Sequence, residues 1–115
     1  MTLEQFRAYC LAKPGVEEGL PFGPETLVFK VGGKLFALTG IDTFDYINLK
    51  CDPERALELR EAYDAIRPGY HMSKKHWNSV YMDGSLSDQF ILELTDHSYE
   101  LVFSSLPKKI RQELE

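Results

Sequence analysis

The fold is decided by a stretch of alternating apolar residues, TLVFKVGGKLFALT, which occupies residues 26–39. Apolar side chains at every second position are typical of a β-strand that turns one face towards a core. Gly32-Gly33 interrupts the alternation, and two glycines suit the two turn positions that need positive φ. The stretch therefore predicts a β-hairpin, with strands at residues 26–31 and 34–39.

Further strands are predicted on the C-terminal side of this hairpin. Residues 44–50 alternate in the same way, residues 77–82 form another strand-like run, and residues 70–72 form a short one. Residues 16–24 lie before the hairpin and are predicted to form a loop, because they contain a proline-rich turn segment. Short connections between consecutive strands favour antiparallel pairing.

Helices are predicted before, between and after the strands. Thr2 begins a capping box, Asp52 precedes a proline that suits the first helical position, and Ser87 caps a third helix. We expect Asp96 to cap a further helical segment and residues 108–115 to form a short polar tail. The predicted order is α-β-β-β-α-β-β-α plus a C-terminal helical tail. It indicates an α+β fold, a two-layer sandwich with an antiparallel sheet of about five strands packed by helices.

Bulk composition limits the class of protein. The chain has 115 residues and is 43% hydrophobic, which predicts a single domain over residues 1–115. Its net charge of −5 argues against tight, non-specific nucleic-acid binding. Cys10 and Cys51 lie far apart and outside any CxxC motif, so we expect buried thiols in a reducing compartment. No apolar run approaches the roughly 18 residues of a membrane span, so we expect a cytoplasmic protein without a membrane partner.

No catalytic or metal-binding motif is present. His71 and His76 are five residues apart and His97 is remote, with no HExxH or CxxC motif beside them. No serine sits in a GxSxG turn, and neither cysteine has a histidine partner in sequence. We therefore expect a non-enzymatic protein without a cofactor or metal, and keep a metal-linked domain as a third hypothesis.

Basic and aromatic residues supply the candidate binding site. Residues 65–82 contain no acidic residue, and Lys50 ends the third predicted strand. Such side chains could contact phosphate oxygens or stack on bases. For Trp77 the structural alternative is core packing, for Asn78 a backbone-binding role, and for the lysine pair of the tail a solvated helix start. The candidates for nucleic-acid binding are Lys30, Lys34, Lys74, Lys75, His76, Trp77, Asn78, Lys108, Lys109 and Arg111.

Several segments together resemble a known family. They are PFG at residues 21–23, FKVGGKLFA at 29–37, KHWNSV at 75–80, DGS at 83–85, DHSYELV at 96–102 and LPKKIR at 106–111. Over nearly the whole chain, this set resembles the MmcQ/YjbR family of small bacterial proteins. The resemblance implies a CyaY-like or secretion-chaperone-like α+β domain. It also implies a DNA-binding protein with a double wing, formed by the Gly32-Gly33 hairpin and the strands around Trp77.

Two functional hypotheses follow from these observations. The first is a non-enzymatic binding domain that contacts DNA through residues 74–78 together with Lys108, Lys109 and Arg111. The alternative is a protein-interaction module of the secretion-chaperone-like type, without nucleic-acid binding, whose acidic surface suits a basic or mixed partner.

Overall fold

The chain folds into a six-stranded antiparallel sheet with helices on one face, in a computed structural model that describes residues 1–115. The helices are α1 Leu3–Leu11, α2 Pro53–Ala62, α3 Asp88–Ser105 and α4 Lys108–Leu114. The strands are β1 Val16–Gly19, β2 Thr26–Val31, β3 Lys34–Gly40, β4 Tyr46–Lys50, β5 Ile66–Pro68 and β6 Trp77–Tyr81. The strand order is β1-β2-β3-β4-β6-β5, and every neighbouring pair is antiparallel. The predicted α+β class and helix-packed antiparallel sheet are confirmed.

Both edge strands differ from the prediction. The segment predicted as a loop contains β1, which pairs with β2 and sets Glu17 opposite Lys30. The short strand predicted at residues 70–72 is wrong, because the edge strand β5 lies earlier, at Ile66–Pro68. Pro68 has no backbone N–H to donate, and an edge position tolerates that loss.

Three of the four predicted helix caps are present. Thr2 forms a full capping box, the Asp52 carboxylate accepts a hydrogen bond from the Arg55 N–H, and the Ser87 hydroxyl accepts one from the Phe90 N–H. The predicted cap at Asp96 is wrong, because α3 continues through it without a break. The Asp96 carboxylate instead accepts hydrogen bonds from Tyr9, at 2.7 Å, and from Lys13, at 2.5 Å, and so ties α3 to the N-terminal helix.

The two faces of the sheet carry cores of different size. The main core lies between the sheet and the helices, where Phe6 of α1 packs edge-on against Phe29 of β2 with ring centroids 5.7 Å apart. On the opposite face a smaller cluster joins Val28, Leu38 and Trp77. This second face carries no helix and is covered only in part, by loops. It is called the open face below. None of the helices is long and apolar enough to cross a bilayer.

Candidate functional site

Antiparallel pairing gathers lysines from distant parts of the chain at one end of the sheet. Strand β2 finishes and β3 begins at the Gly32-Gly33 turn, and the register places the last residue of β4 and the first of β6 at this same end. Seven of the eight lysines of the chain lie here. We call this region the lysine end, defined by Lys30, Lys34, Lys50, Lys74, Lys75, Lys108 and Lys109.

Close packing at the hairpin turn brings the lysines of α4 into this region. Gly32 has a φ of +58°, and a Cβ atom added to it would lie 2.6 Å from Cδ1 of Leu106. Only glycine therefore fits between the turn and Leu106. Since Leu106 is buried against the turn and Lys108 follows two residues later, α4 starts beside the hairpin.

Arg60 of α2 fixes the segment that precedes β6. Its guanidinium donates hydrogen bonds to the carbonyl oxygens of Lys74 and Trp77, and its Nε donates to Oδ1 of Asn78 at 2.7 Å. A backbone bond from the Cys51 N–H to the His76 carbonyl, at 2.8 Å, ties the same segment to the end of β4. The backbone that carries Lys74 and Lys75 is therefore held from two sides, by Arg60 and by the end of β4.

The side chains of this segment differ in their freedom. The ammonium group of Lys74 donates to the Gly69 carbonyl at 3.1 Å, so it already has a partner within the protein. The side chains of Lys75 and His76 are exposed and make no hydrogen bond. Of the basic residues predicted from this stretch, these two are directly available to a partner.

Trp77 and Asn78 support the lysine end from inside the protein. Trp77 is 8% exposed and packs with Val28 and Leu38 on the open face. Asn78 is 2% exposed, accepts the bond from Arg60 and donates to the Ala56 carbonyl at 3.4 Å. Their side chains therefore have the structural roles that the sequence left as alternatives.

The tail residues of the candidate set also divide into two groups. Lys108 and Lys109 are exposed in the first turn of α4. Arg111 is half-buried, and its Nε has no hydrogen-bond partner. Lys108 and Lys109 thus extend the lysine end. Arg111 is partly buried in the C-terminal tail and is less accessible to a partner.

A pocket of about 550 Å³ lies at the opposite end of the open face, where β2 and β4 begin and β3 finishes. Its lining contains three carboxylates and no lysine or arginine. We call it the carboxylate pocket, defined by Glu25, Asp42, Asp45, Phe22, Tyr46 and Tyr70. Sequence reasoning missed this site. Its signal was present, because Glu25 and Asp45 each directly precede a strand, and antiparallel pairing of β2, β3 and β4 puts both positions at one end.

Burial shifts the pKa values of both cysteines and of His97. Burial raises the pKa of the Cys10 thiol to about 12 and also raises that of Cys51. The raised pKa favours the protonated thiol in both, and the thiolate is the reactive form. Burial, together with the neighbouring Arg55, lowers the pKa of His97, with Asp52 opposing the shift. No three His, Cys, Asp or Glu side chains come close enough together to hold a metal ion.

Comparison with known proteins places this geometry in a family. The family model described as YjbR matches residues 11–101. The chain belongs to the YjbR family. The resemblance drawn from the KHWNSV and LPKKIR segments is thereby confirmed at the level of the family.

Relatives of known sequence and structure agree with this assignment. The uncharacterized protein YbdF of Escherichia coli O157:H7 is 43% identical over 107 residues, which cover 92% of this chain and 88% of the relative. The uncharacterized protein YjbR of Escherichia coli K12 is 37% identical over 113 residues, or 97% of this chain and 96% of that protein. The crystal structure of Deinococcus radiodurans protein DR2400 superposes with a TM-score of 0.92 at 42% identity, covering 98% of this chain and 87% of the other.

Proposed function

We propose that the protein is a non-enzymatic binding domain that contacts DNA through the lysine end. The observation that carries the proposal is the gathering of seven of eight lysines at one end of the sheet in a chain whose net charge is −5. Such clustering favours a local positive potential despite the carboxylates of Glu17, opposite Lys30, and Asp52, two residues after Lys50. A cytoplasmic location belongs to the same proposal and is supported by the two buried free thiols.

The dimensions of the lysine end are compatible with a nucleic-acid backbone. Strands β2, β3, β4 and β6 are adjacent, so their ends span about 15 Å. That distance covers about four nucleotides of one DNA strand at roughly 3.4 Å each. Ammonium groups at this spacing could each reach a phosphate oxygen, a mode of binding that positions the duplex without reading its sequence.

The proposal is tested by titrating the protein against a short fluorescent DNA duplex and recording anisotropy at about 50 mM and about 200 mM salt. Phosphate-driven binding must weaken steeply between these conditions, because it releases condensed counterions. For about four contacts, we expect log K to fall by about 3.6 for each tenfold rise in salt. Absent or salt-independent binding would reject the proposal.

Matched pairs of substitutions locate the interface. Lys34→Gln with Lys75→Gln removes two exposed charges, one from each expected wing, and should reduce the salt slope by about 2. Arg67→Gln, set against Lys75→Gln alone, removes the same charge from an exposed position outside the lysine end and should leave the slope unchanged. Equal effects of these two single variants would indicate attraction to overall charge rather than to this site.

A protein-interaction module without nucleic-acid binding is the alternative function. It is favoured by the net charge of −5 and by the exposed apolar side chains of Leu20 and Phe22, which lie together in one loop. For this alternative we expect no binding of the duplex at either salt concentration, together with saturable binding of a basic partner protein that nuclease treatment does not weaken.

A further inference from the structure

We propose that the carboxylate pocket binds a small organic cation, namely a primary ammonium group joined to an aromatic ring. The proposal does not rest on DNA binding, because the three carboxylates of the pocket lie at the other end of the strands from the lysine end. Its volume of about 550 Å³ falls within the range of small-molecule sites. The chemistry of the ligand follows from three features of the lining.

The first feature is the sign of the charge. Glu25, Asp42 and Asp45 are exposed at the rim and form no ion pair within the protein. A hydrogen bond of 2.9 Å from the Ile41 N–H to the Glu25 carbonyl fixes two of these loops beside each other. Three like charges around one concave surface favour a negative potential there. A cation would be attracted and a phosphate or carboxylate repelled.

The second feature is a group of aromatic rings at the pocket, two of them largely exposed. Tyr46 and Tyr70 meet edge to face with centroids 5.9 Å apart, and both line the pocket with Phe22. Phe22 is 62% exposed and Tyr70 is 51% exposed. Such rings offer apolar surface to a ligand body, and their faces attract a cation held close to them. Carboxylates beside open aromatic faces are suited to an organic cation rather than to a bare metal ion.

The third feature is a buried polar group beneath the pocket. Asn48 lines the pocket, is 2% exposed, and its Nδ2 donates to the Tyr70 carbonyl at 3.1 Å. Its Oδ1 accepts a hydrogen bond from Oγ of Ser79, so both polar atoms of the amide have a partner in the protein. Asn48 therefore gives the pocket a fixed polar floor, which is compatible with a hydroxyl on the ligand body.

The wall that carries Tyr70 is held in place without any ligand. The Tyr70 N–H donates to Oγ of Ser79 at 2.9 Å, while its carbonyl accepts from Asn48. Both partners are buried residues of neighbouring strands in the sheet. Little ordering would therefore be needed on binding, which favours affinity for a small ligand.

Tyramine is the probe, because it combines a primary ammonium group, an aromatic ring and a hydroxyl. Tyrosol, in which a hydroxyl replaces the ammonium group, is the matched neutral ligand. We expect saturable tyramine binding in calorimetry, with backbone amide shifts centred on Asp42, Asp45 and His71. We expect tyrosol to bind at least about tenfold more weakly, since it lacks the charge. Equal binding of the two ligands, or no tyramine binding, would overturn the proposal.

Substitutions then assign the charge effect to the pocket. Asp42→Asn with Asp45→Asn should weaken tyramine binding by at least about tenfold. Because neither carboxylate makes a hydrogen bond in the protein, the melting temperature should not change, and Glu25→Gln provides a second variant of the same kind. Glu58→Gln with Asp64→Asn removes two exposed carboxylates elsewhere and should leave the affinity unchanged. If both double variants weakened tyramine binding equally, the cause would be the net charge of the protein, and the proposed site would be rejected.

Discussion

The lysine end and the carboxylate pocket occupy opposite ends of the same strands and are built in different ways. At the lysine end, exposed cations rest on a buried frame in which Arg60 joins Asn78 to the backbone of the preceding segment. In the pocket, the exposed residues Phe22, Asp42 and Asp45 have no partner inside the protein. At the lysine end, exposed lysines and the buried residues that support them therefore follow one another along the sequence. In the pocket, the exposed candidate contact residues lie apart from the buried residues.

The largest expected difference between the two ends is in the free energy of unfolding lost when one aromatic side chain is removed. Trp77→Ala removes the centre of the Val28 and Leu38 cluster and should lower the free energy of unfolding by about 3–5 kcal/mol. Phe22→Ala in the pocket should change it by less than about 0.5 kcal/mol, because that ring is mostly exposed. Urea denaturation of both variants measures the contrast. A Trp77→Ala variant as stable as the native protein would show that Trp77 is a surface residue in solution.

A smaller difference in unfolding free energy is expected when one polar side chain is removed from each end. Asn78→Ala leaves the Arg60 Nε without its acceptor and should cost about 1–3 kcal/mol of unfolding free energy. Asp45→Ala in the pocket removes no hydrogen bond of the side chain and should cost less than about 0.5 kcal/mol. The same urea series compares them. If both variants lost equal stability, the proposed contrast between hydrogen-bonded side chains at the lysine end and unbonded carboxylates in the pocket would fail.

The smallest expected effect is a pH dependence confined to the lysine end. The Asp52 N–H donates to Nε2 of His97 at 3.4 Å where β4 meets α2, and burial lowers the pKa of His97 below its usual 6.5. The unfolded chain therefore binds the proton first, so this contribution is present above about pH 6.5 and is lost as the pH falls. His97→Gln should flatten the decline in unfolding free energy between about pH 7 and about pH 5.5. If His97→Gln left this decline unchanged, other titratable groups would be its cause.

Local signals in the sequence predicted much of the fold. The Gly32-Gly33 turn, the Thr2 capping box and the Asp52 cap each depend on a few neighbouring residues, and all three are present. Strand β1 was not predicted, since its sequence VEEG has few strand-forming residues and acquires its conformation by pairing with β2. Asp96 was wrongly assigned as a cap because its partners, Tyr9 and Lys13, lie more than 80 residues away.

The sequence named residues of the lysine end but predicted neither their common surface nor the carboxylate pocket. The lysines could be named from the sequence, whereas their convergence depends on strand register, which a local pattern does not give. The burial of Trp77 was undecided for a similar reason, because the open face carries a small cluster of its own. The carboxylate pocket draws its charges from loops near residues 25 and 42–45, and only the folded sheet brings these together.

Seven lysines at one end of the sheet and the three pocket carboxylates at the other distribute charge unevenly along the strands. In the field of a polyanion, such a molecule would turn its lysine end inwards and its pocket towards solvent. The two ends are about 20 Å apart along a seven-residue strand, roughly twice the Debye length at physiological ionic strength. Direct electrostatic coupling between the pocket carboxylates and a polyanion at the lysine end should therefore be weak, so any coupling between the two ligands would have to pass through the segment from Tyr70 to Lys75, which borders both.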